Sequence, residues 1–104
     1  VPTKITFIYD NPADTDAFER GYADGHLDLV RALPGVVRVE ASKAWPKEDG
    51  SPTPAYRMVD AYFADYDRAV AAVQGPAAGS LFAAVFGLAT GGLRIVFSDV
   101  EVDG

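Results

Sequence analysis

The chain holds a single histidine, His26, and with an unperturbed pKa of about 6.5 it is the side chain best suited to move a proton near neutral pH. Tyr22 lies four residues earlier, close enough on a helix to share a pocket, orient a ligand or hydrogen-bond the imidazole. Gly21 and Gly25 stand beside this pair, one turn apart. Each costs about 1 kcal/mol relative to alanine inside a helix, which points to close approach of another segment or to room for a ligand. General acid or base catalysis beside a carbonyl needs little more than such a group. A plainer reading stands next to it: a lone histidine on an apolar stripe is often a packing residue, and the pattern alone favours that reading.

Other chemistries lack their residues. There is no cysteine, which removes disulfides, thiolate metal sites and a thiol nucleophile and fits a reducing compartment, with cytoplasm as the expectation. Asp28 points about 200° around a helix from His26, so no ligand set for a metal forms, and no cofactor is expected. Ala89-Thr90-Gly91-Gly92 precedes a strand rather than linking strand to helix, so it is no phosphate loop. A net charge of −6, with nine Lys and Arg scattered singly, argues against nucleic acid as a partner. The chain opens without the pattern of a signal peptide. The uncharged run from Gln74 to Leu93 contains six breakers, Gly75, Pro76, Gly79, Gly87, Gly91 and Gly92, and reads as a buried helix and turn rather than a membrane span.

The elements that must position His26 follow from periodicity. Lys4 to Tyr9 is β-branched and aromatic and stops at Asp10-Asn11-Pro12, which makes strand 1. From Asp14, a candidate N-cap, Phe18, Tyr22, His26, Leu29 and Leu33 recur at three and four, which predicts one helix ended by Leu33-Pro34-Gly35. Val36 to Ala44 is strand 2, and the polar, proline-rich segment 46–54 is a surface loop. Ala55 to Phe63 is strand 3, Asp65 caps a helix carrying Tyr66, Ala69, Val70 and Val73, and Pro76 opens another carrying Leu81, Phe82, Val85 and Phe86. Leu93 to Val100 is strand 4.

With 104 residues the chain has material for one core, so 1–104 is read as a single domain. The order βαββαβ is a ferredoxin-like α+β fold with a four-stranded antiparallel sheet. Ile5/Phe7/Tyr9, Val37/Val39/Ala41, Val59/Ala61/Phe63 and Leu93/Ile95/Phe97 are assigned to the helix side. The opposite row mixes Thr6/Ile8, Arg38/Glu40, Tyr56/Met58/Asp60/Tyr62 and Arg94/Val96/Ser98. That row is too apolar for plain solvent exposure and too charged for a private core, which suggests a subunit interface.

A helix advances about 1.5 Å per residue and a strand about 3.3 Å, so His26, twelve residues past Asp14, is expected over the beginning of strand 1. With strand 3 read as parallel to strand 1, that level also holds Ile5, Arg57, Val59 and Phe97. Arg57 is then a candidate for a substrate oxygen or carboxylate, and Phe97 for excluding water. Trp45 and Tyr56 flank the loop and are candidates for the pocket mouth.

These features, Ile5-Thr6-Phe7-Ile8-Tyr9 with Asn11-Pro12-Ala13-Asp14, Phe18 with Tyr22 and His26-Leu27, Leu33-Pro34-Gly35, and Ala89-Thr90-Gly91-Gly92 before the last strand, span nearly the whole chain and resemble the EthD family of small dimeric α+β-barrel proteins. The resemblance implies ferredoxin-like subunits that pair through their sheets into a homodimer, and it carries the family's characteristic histidine onto His26. Two departures stand out. His26-Leu27-Asp28 replaces a usual His-x-Pro, and Ala83-Ala84 stand where an aspartate near the short final helix is usual.

The function expected is that of a small homodimer binding a compact, largely apolar organic molecule between helices and sheet. In the enzymatic version His26 is the general acid or base of an isomerisation, cyclisation or lactone reaction. A cofactor-free monooxygenase, an accessory role in degradation and a non-catalytic binding dimer are the alternatives. An RNA-binding domain of the same βαββαβ order is disfavoured, since Tyr56 to Phe63 lacks the glycine and basic start of that motif.

Overall fold

Burial alternates along Thr3–Tyr9, with Thr3, Ile5, Phe7 and Tyr9 inward and the residues between them half-buried, as a strand covered on one face requires. The computed structural model describes residues 1–102. In chain order these form β1 (Thr3–Tyr9), α1 (Thr15–Ala23), α2 (His26–Arg31), β2 (Arg38–Lys43), β3 (Arg57–Phe63), α3 (Tyr66–Gln74), α4 (Pro76–Leu88) and β4 (Leu93–Asp99). The sheet order is β2-β3-β1-β4, and every neighbouring pair is antiparallel. The fold is the expected ferredoxin-like α+β arrangement.

Three expectations change. Strand 3 is antiparallel to strand 1, not parallel. The crossover through the helices leaves β1 and β2 pointing the same way, and β3, reversed by the 44–56 connection, inserts between them and opposes both. The first helix is two helices, because Gly25 adopts φ +81°, a left-handed conformation that glycine takes without steric cost, and α2 starts afresh at His26. β2 and β3 each begin two residues later than their periodicity suggested.

Helix ends follow the capping chemistry. The Asp14 carboxylate accepts from the Ala17 amide at 3.1 Å, and Asp65 accepts from the Arg68 amide at 2.9 Å, each pairing an amide left free in a first turn. The helices cover one face of the sheet, with Phe18, Val30, Leu33, Ala69, Ala72, Leu81 and Val85 buried against the β1 and β3 rows. On α4 the inward stripe is Ala78, Leu81, Val85 and Leu88, while Phe86, expected to face the core, is exposed. The edge strand β4 keeps Ile95 and Phe97 on the helix side by register with Phe7 and Ile5, yet both stay more than a third exposed. Gly91 lets the end of α4 return beside the β1–α1 loop, since a Cβ there would lie 1.8 Å from the Asn11 carbonyl oxygen. Among the described residues no single helix is long and apolar enough to cross a membrane.

The opposite face of the sheet pairs its charges internally. Thr6 Oγ1 donates to Asp60 at 2.5 Å and Lys4 lies 3.7 Å from the same carboxylate. Tyr62 donates to Glu40 at 2.5 Å, Arg38 also binds Glu40, and the Arg38 guanidinium stands 5.1 Å from the Tyr62 ring centre. Between these pairs, register brings Ile8 opposite Met58, and Val96 opposite Thr6 on the other side of β1.

Candidate functional site

Tyr9 is the last residue of β1, and the strand alternation turns its ring into the helix layer, where it is fully buried. A buried phenol needs a partner for its hydroxyl, and the break at Gly25 supplies one: His26, the first residue of α2, places Nε2 2.7 Å from the Tyr9 oxygen. The imidazole is 2 % exposed. Its second nitrogen, Nδ1, is buried with no hydrogen-bond partner among the described residues. His26 also lines an open depression, together with Tyr22, Ala23, Gly25, Leu27 and Asp28.

Aromatic rings close around this pair. The Phe18 centroid lies 5.4 Å from Tyr9, 5.2 Å from Tyr56 and 6.0 Å from Tyr22, and the Tyr22 centroid lies 5.6 Å from His26. Burial holds the His26 pKa below its ordinary value, with no charged neighbour among the causes, because desolvation disfavours the imidazolium. Burial pushes the Tyr9 hydroxyl well up, and Tyr22 acts in the same direction. At neutral pH the site therefore holds a neutral imidazole and a protonated phenol.

An ion cluster braces Tyr22 from the other side. Arg57 donates through Nε and Nη2 to Glu19 at 2.9 and 2.6 Å, a bidentate pair, and its guanidinium stands 4.4 Å from the Tyr22 ring centre. Lys43 lies 3.6 Å from the same carboxylate and 5.3 Å from the Tyr56 ring centre. The hydrogen bond from Arg57 holds the Glu19 carboxyl below its usual range, and the same bond pushes the Arg57 pKa up.

The structure thus brings His26, Tyr22, Arg57 and Tyr56 together and leaves Phe97 and Trp45 apart. His26 sits over the end of β1, not its beginning, because the helix stops at Ala23 and the chain turns at Gly25, so a projection along one continuous helix overshoots. Arg57 shares that level, opposite Tyr9. Phe97 pairs with Ile5, four residues along β4 from Leu93 at the Tyr9 level, about 13 Å away by strand rise, and its ring packs on Tyr66. Trp45 is 86 % exposed beyond β2, beside a depression formed with Lys43, Ala44 and Pro46. Tyr56, assigned to the open sheet face, turns instead to the helix side and packs on Phe18; it precedes β3, where its amide bonds the Tyr9 carbonyl at 2.6 Å and the two-residue alternation has not yet begun.

No family model matches the chain. Over 98 residues, 94% of this chain and 94% of its relative, it is 35% identical to an uncharacterized 11.0 kDa protein in the thcB-thcC intergenic region of Rhodococcus erythropolis. Its backbone superposes on an ethyl tert-butyl ether d (EthD) family protein from Bacillus halodurans with a TM-score of 0.88, at 20% identity over 97% of this chain and 100% of that one. The chain has an EthD-like fold and belongs to the family of the Rhodococcus protein. Two further structures share the fold. One is SnoaB, a cofactor-independent oxygenase from Streptomyces nogalater, with TM-score 0.65 and 18% identity over 98% of this chain and 94% of that one. The other is a dimeric ferredoxin-like protein from Jannaschia sp. CCS1, with TM-score 0.68 and 16% identity over 96% of this chain and 100% of that one.

Two residues of this EthD-like site escape the sequence reading. Tyr9 reads only as one member of the helix-side row Ile5/Phe7/Tyr9, although a tyrosine at the end of a core-facing strand signals a hydroxyl in search of a partner. Glu19, three residues before Tyr22, turns toward Arg57 and binds it. Gly21 has a specific reason, since a Cβ there would meet Leu88 Cδ2 at 2.7 Å.

Proposed function

We propose that this EthD-like chain is a small homodimeric protein that binds a compact, largely apolar organic molecule against His26, with the imidazole as its general acid or base. The observation that carries this reading is a buried histidine that lines an open depression, with one nitrogen engaged by Tyr9 and the other without a partner among the described residues. An unsatisfied buried polar atom costs about 1–3 kcal/mol, a cost that a bound ligand would relieve. The neutral form favoured by burial suits proton exchange near neutral pH. Isomerisation, cyclisation, lactone chemistry and an accessory role in degradation all fit this minimal set.

Tyr22 would orient the ligand over the imidazole, with Tyr56 behind it on Phe18. Arg57, engaged by Glu19 through two of its nitrogens, serves by fixing Tyr22 rather than by meeting a substrate carboxylate. Phe97 and Trp45 stand outside this pocket. Dimerisation is supported by the internally paired sheet face, whose charges lose less on desolvation than free ones, and by the likeness to a protein described as dimeric. A cytoplasmic location fits the cysteine-free composition.

The fold shared with SnoaB supports a second reading, oxygen chemistry without a cofactor. Turnover by the wild type, His26→Ala and His26→Gln, with and without air, separates the possibilities. Loss of turnover in both variants in either atmosphere supports acid–base chemistry, while dependence on air supports the oxygenase. Unchanged turnover in both variants removes His26 from the reaction.

A further inference from the structure

The proton inventory of the Tyr9–His26 pair distinguishes two arrangements. Tyr9 O–H has His26 Nε2 as its side-chain partner, and His26 Nδ1 has none among the described residues. If Nε2 carried the imidazole proton and donated to the Tyr9 oxygen, the phenolic proton would be left without an acceptor and Nδ1 without a donor. That places two unsatisfied groups in a buried site. If Tyr9 O–H donates to Nε2, the imidazole proton lies on Nδ1, and one group remains unsatisfied. With each such group costing about 1–3 kcal/mol, the second arrangement is favoured. Protonating both nitrogens restores the orphaned phenolic proton, so the tyrosine also resists formation of the imidazolium.

We propose that Tyr9 is the positioning residue of this site: it donates to Nε2, holds His26 as the Nδ1–H tautomer, and so makes the pocket present a hydrogen-bond donor that selects a ligand with an acceptor oxygen, as in a ketone or its enolate. This rests on the reading of His26 as the ligand site. The imidazole then acts on the ligand oxygen as a neutral hydrogen-bond donor that keeps its Nδ1 proton and polarises the carbonyl, which narrows its role from general acid or base to electrostatic stabilisation, since Nε2 is occupied by the phenolic proton. Burial of both rings acts in the same sense, since it disfavours the imidazolium and the phenolate. Tyr22 closes the other side of the ring without a hydrogen bond to Nδ1. A fixed donor set among Tyr22, Ala23 and Leu27 would discriminate between a molecule that accepts a hydrogen bond and an analogue that does not.

One histidine in the chain makes the test direct. Long-range proton–nitrogen correlation spectra of the ¹⁵N-labelled full chain at pH 7.5 report which nitrogen carries the proton. The wild type is expected to show Nδ1 protonated, and Tyr9→Phe to show a mixture or the other tautomer. A wild type protonated on Nε2 would overturn the proposal without need of any variant, as would a folded Tyr9→Phe protein with an unchanged tautomer. Acetophenone and ethylbenzene, matched in shape and differing in the carbonyl, then probe the ligand half. Acetophenone alone is expected to shift Nδ1 and its proton; an equal shift with ethylbenzene, or none with either, overturns the acceptor preference. The tautomer result stands even if His26→Gln keeps full turnover, so failure of the functional reading is distinguishable from failure of this one.

Discussion

The Tyr9 hydroxyl and His26 Nε2 lie 2.7 Å apart, joining the last residue of β1 to the first residue of α2 across the core. Removing the hydroxyl by Tyr9→Phe leaves Nε2 buried and unpaired. A loss of about 1–3 kcal/mol in folding stability is expected, read as a lower denaturant midpoint at an unchanged m-value.

The burial of that pair also sets a pH dependence. The folded-state pKa of His26 lies below its ordinary value of 6.5, so the unfolded chain binds a proton at this residue that the folded chain refuses. Its contribution is fully present above about pH 6.5 and is lost as pH falls toward the depressed folded value. Midpoints measured from pH 8 to 5 should therefore fall for the wild type more steeply than for His26→Gln. Parallel curves over that range would mean that the imidazole titrates alike in both states.

Glycine substitutions should divide by what a Cβ meets. At Gly91 it would lie 1.8 Å from the Asn11 carbonyl oxygen, so Gly91→Ala must displace the β1–α1 loop, whereas at Gly79, inside α4, nothing lies within 4 Å. Thermal melts should show Gly91→Ala destabilised by more than about 1 kcal/mol and Gly79→Ala stabilised by up to about 1 kcal/mol through helix propensity. Equal shifts for both would contradict the close approach at Gly91.

Much of this arrangement was legible in the residues. Alternation along Ile5, Phe7 and Tyr9, the caps at Asp14 and Asp65, and the breaks at Leu33-Pro34-Gly35 and Gly75-Pro76 follow from local chemistry and recur in the structure. So does the inward placement of His26. What escaped depends on one backbone conformation and on long-range pairing. Gly25 reads as a costly residue inside one continuous helix, but its left-handed φ separates α1 from α2, and that single turn moves His26 from the beginning of β1 to Tyr9. Tyr56 and Arg57 both face the helices because β3 has not begun at Tyr56, and nothing in the period-two pattern marks that boundary. Arg57 meets Glu19 from a distant part of the chain, a pairing that no local spacing encodes.

The open sheet face supplies a test of association. Val96 lies on that face opposite Thr6 and is 44 % exposed. Multi-angle light scattering at micromolar concentration should give a dimer for the wild type and a monomer for Val96→Arg, whose charge the dimer would have to desolvate. A monomeric wild type would contradict the proposed pairing through the sheet.

The central claim is that His26 is the polar contact of a ligand site rather than a packing residue. Its most direct test is the affinity for acetophenone of the wild type and of a folded His26→Gln variant, measured by calorimetry at pH 7.5. At least tenfold weaker binding by the variant is predicted, which corresponds to about 1.4 kcal/mol. Equal affinity in the two proteins would contradict the claim.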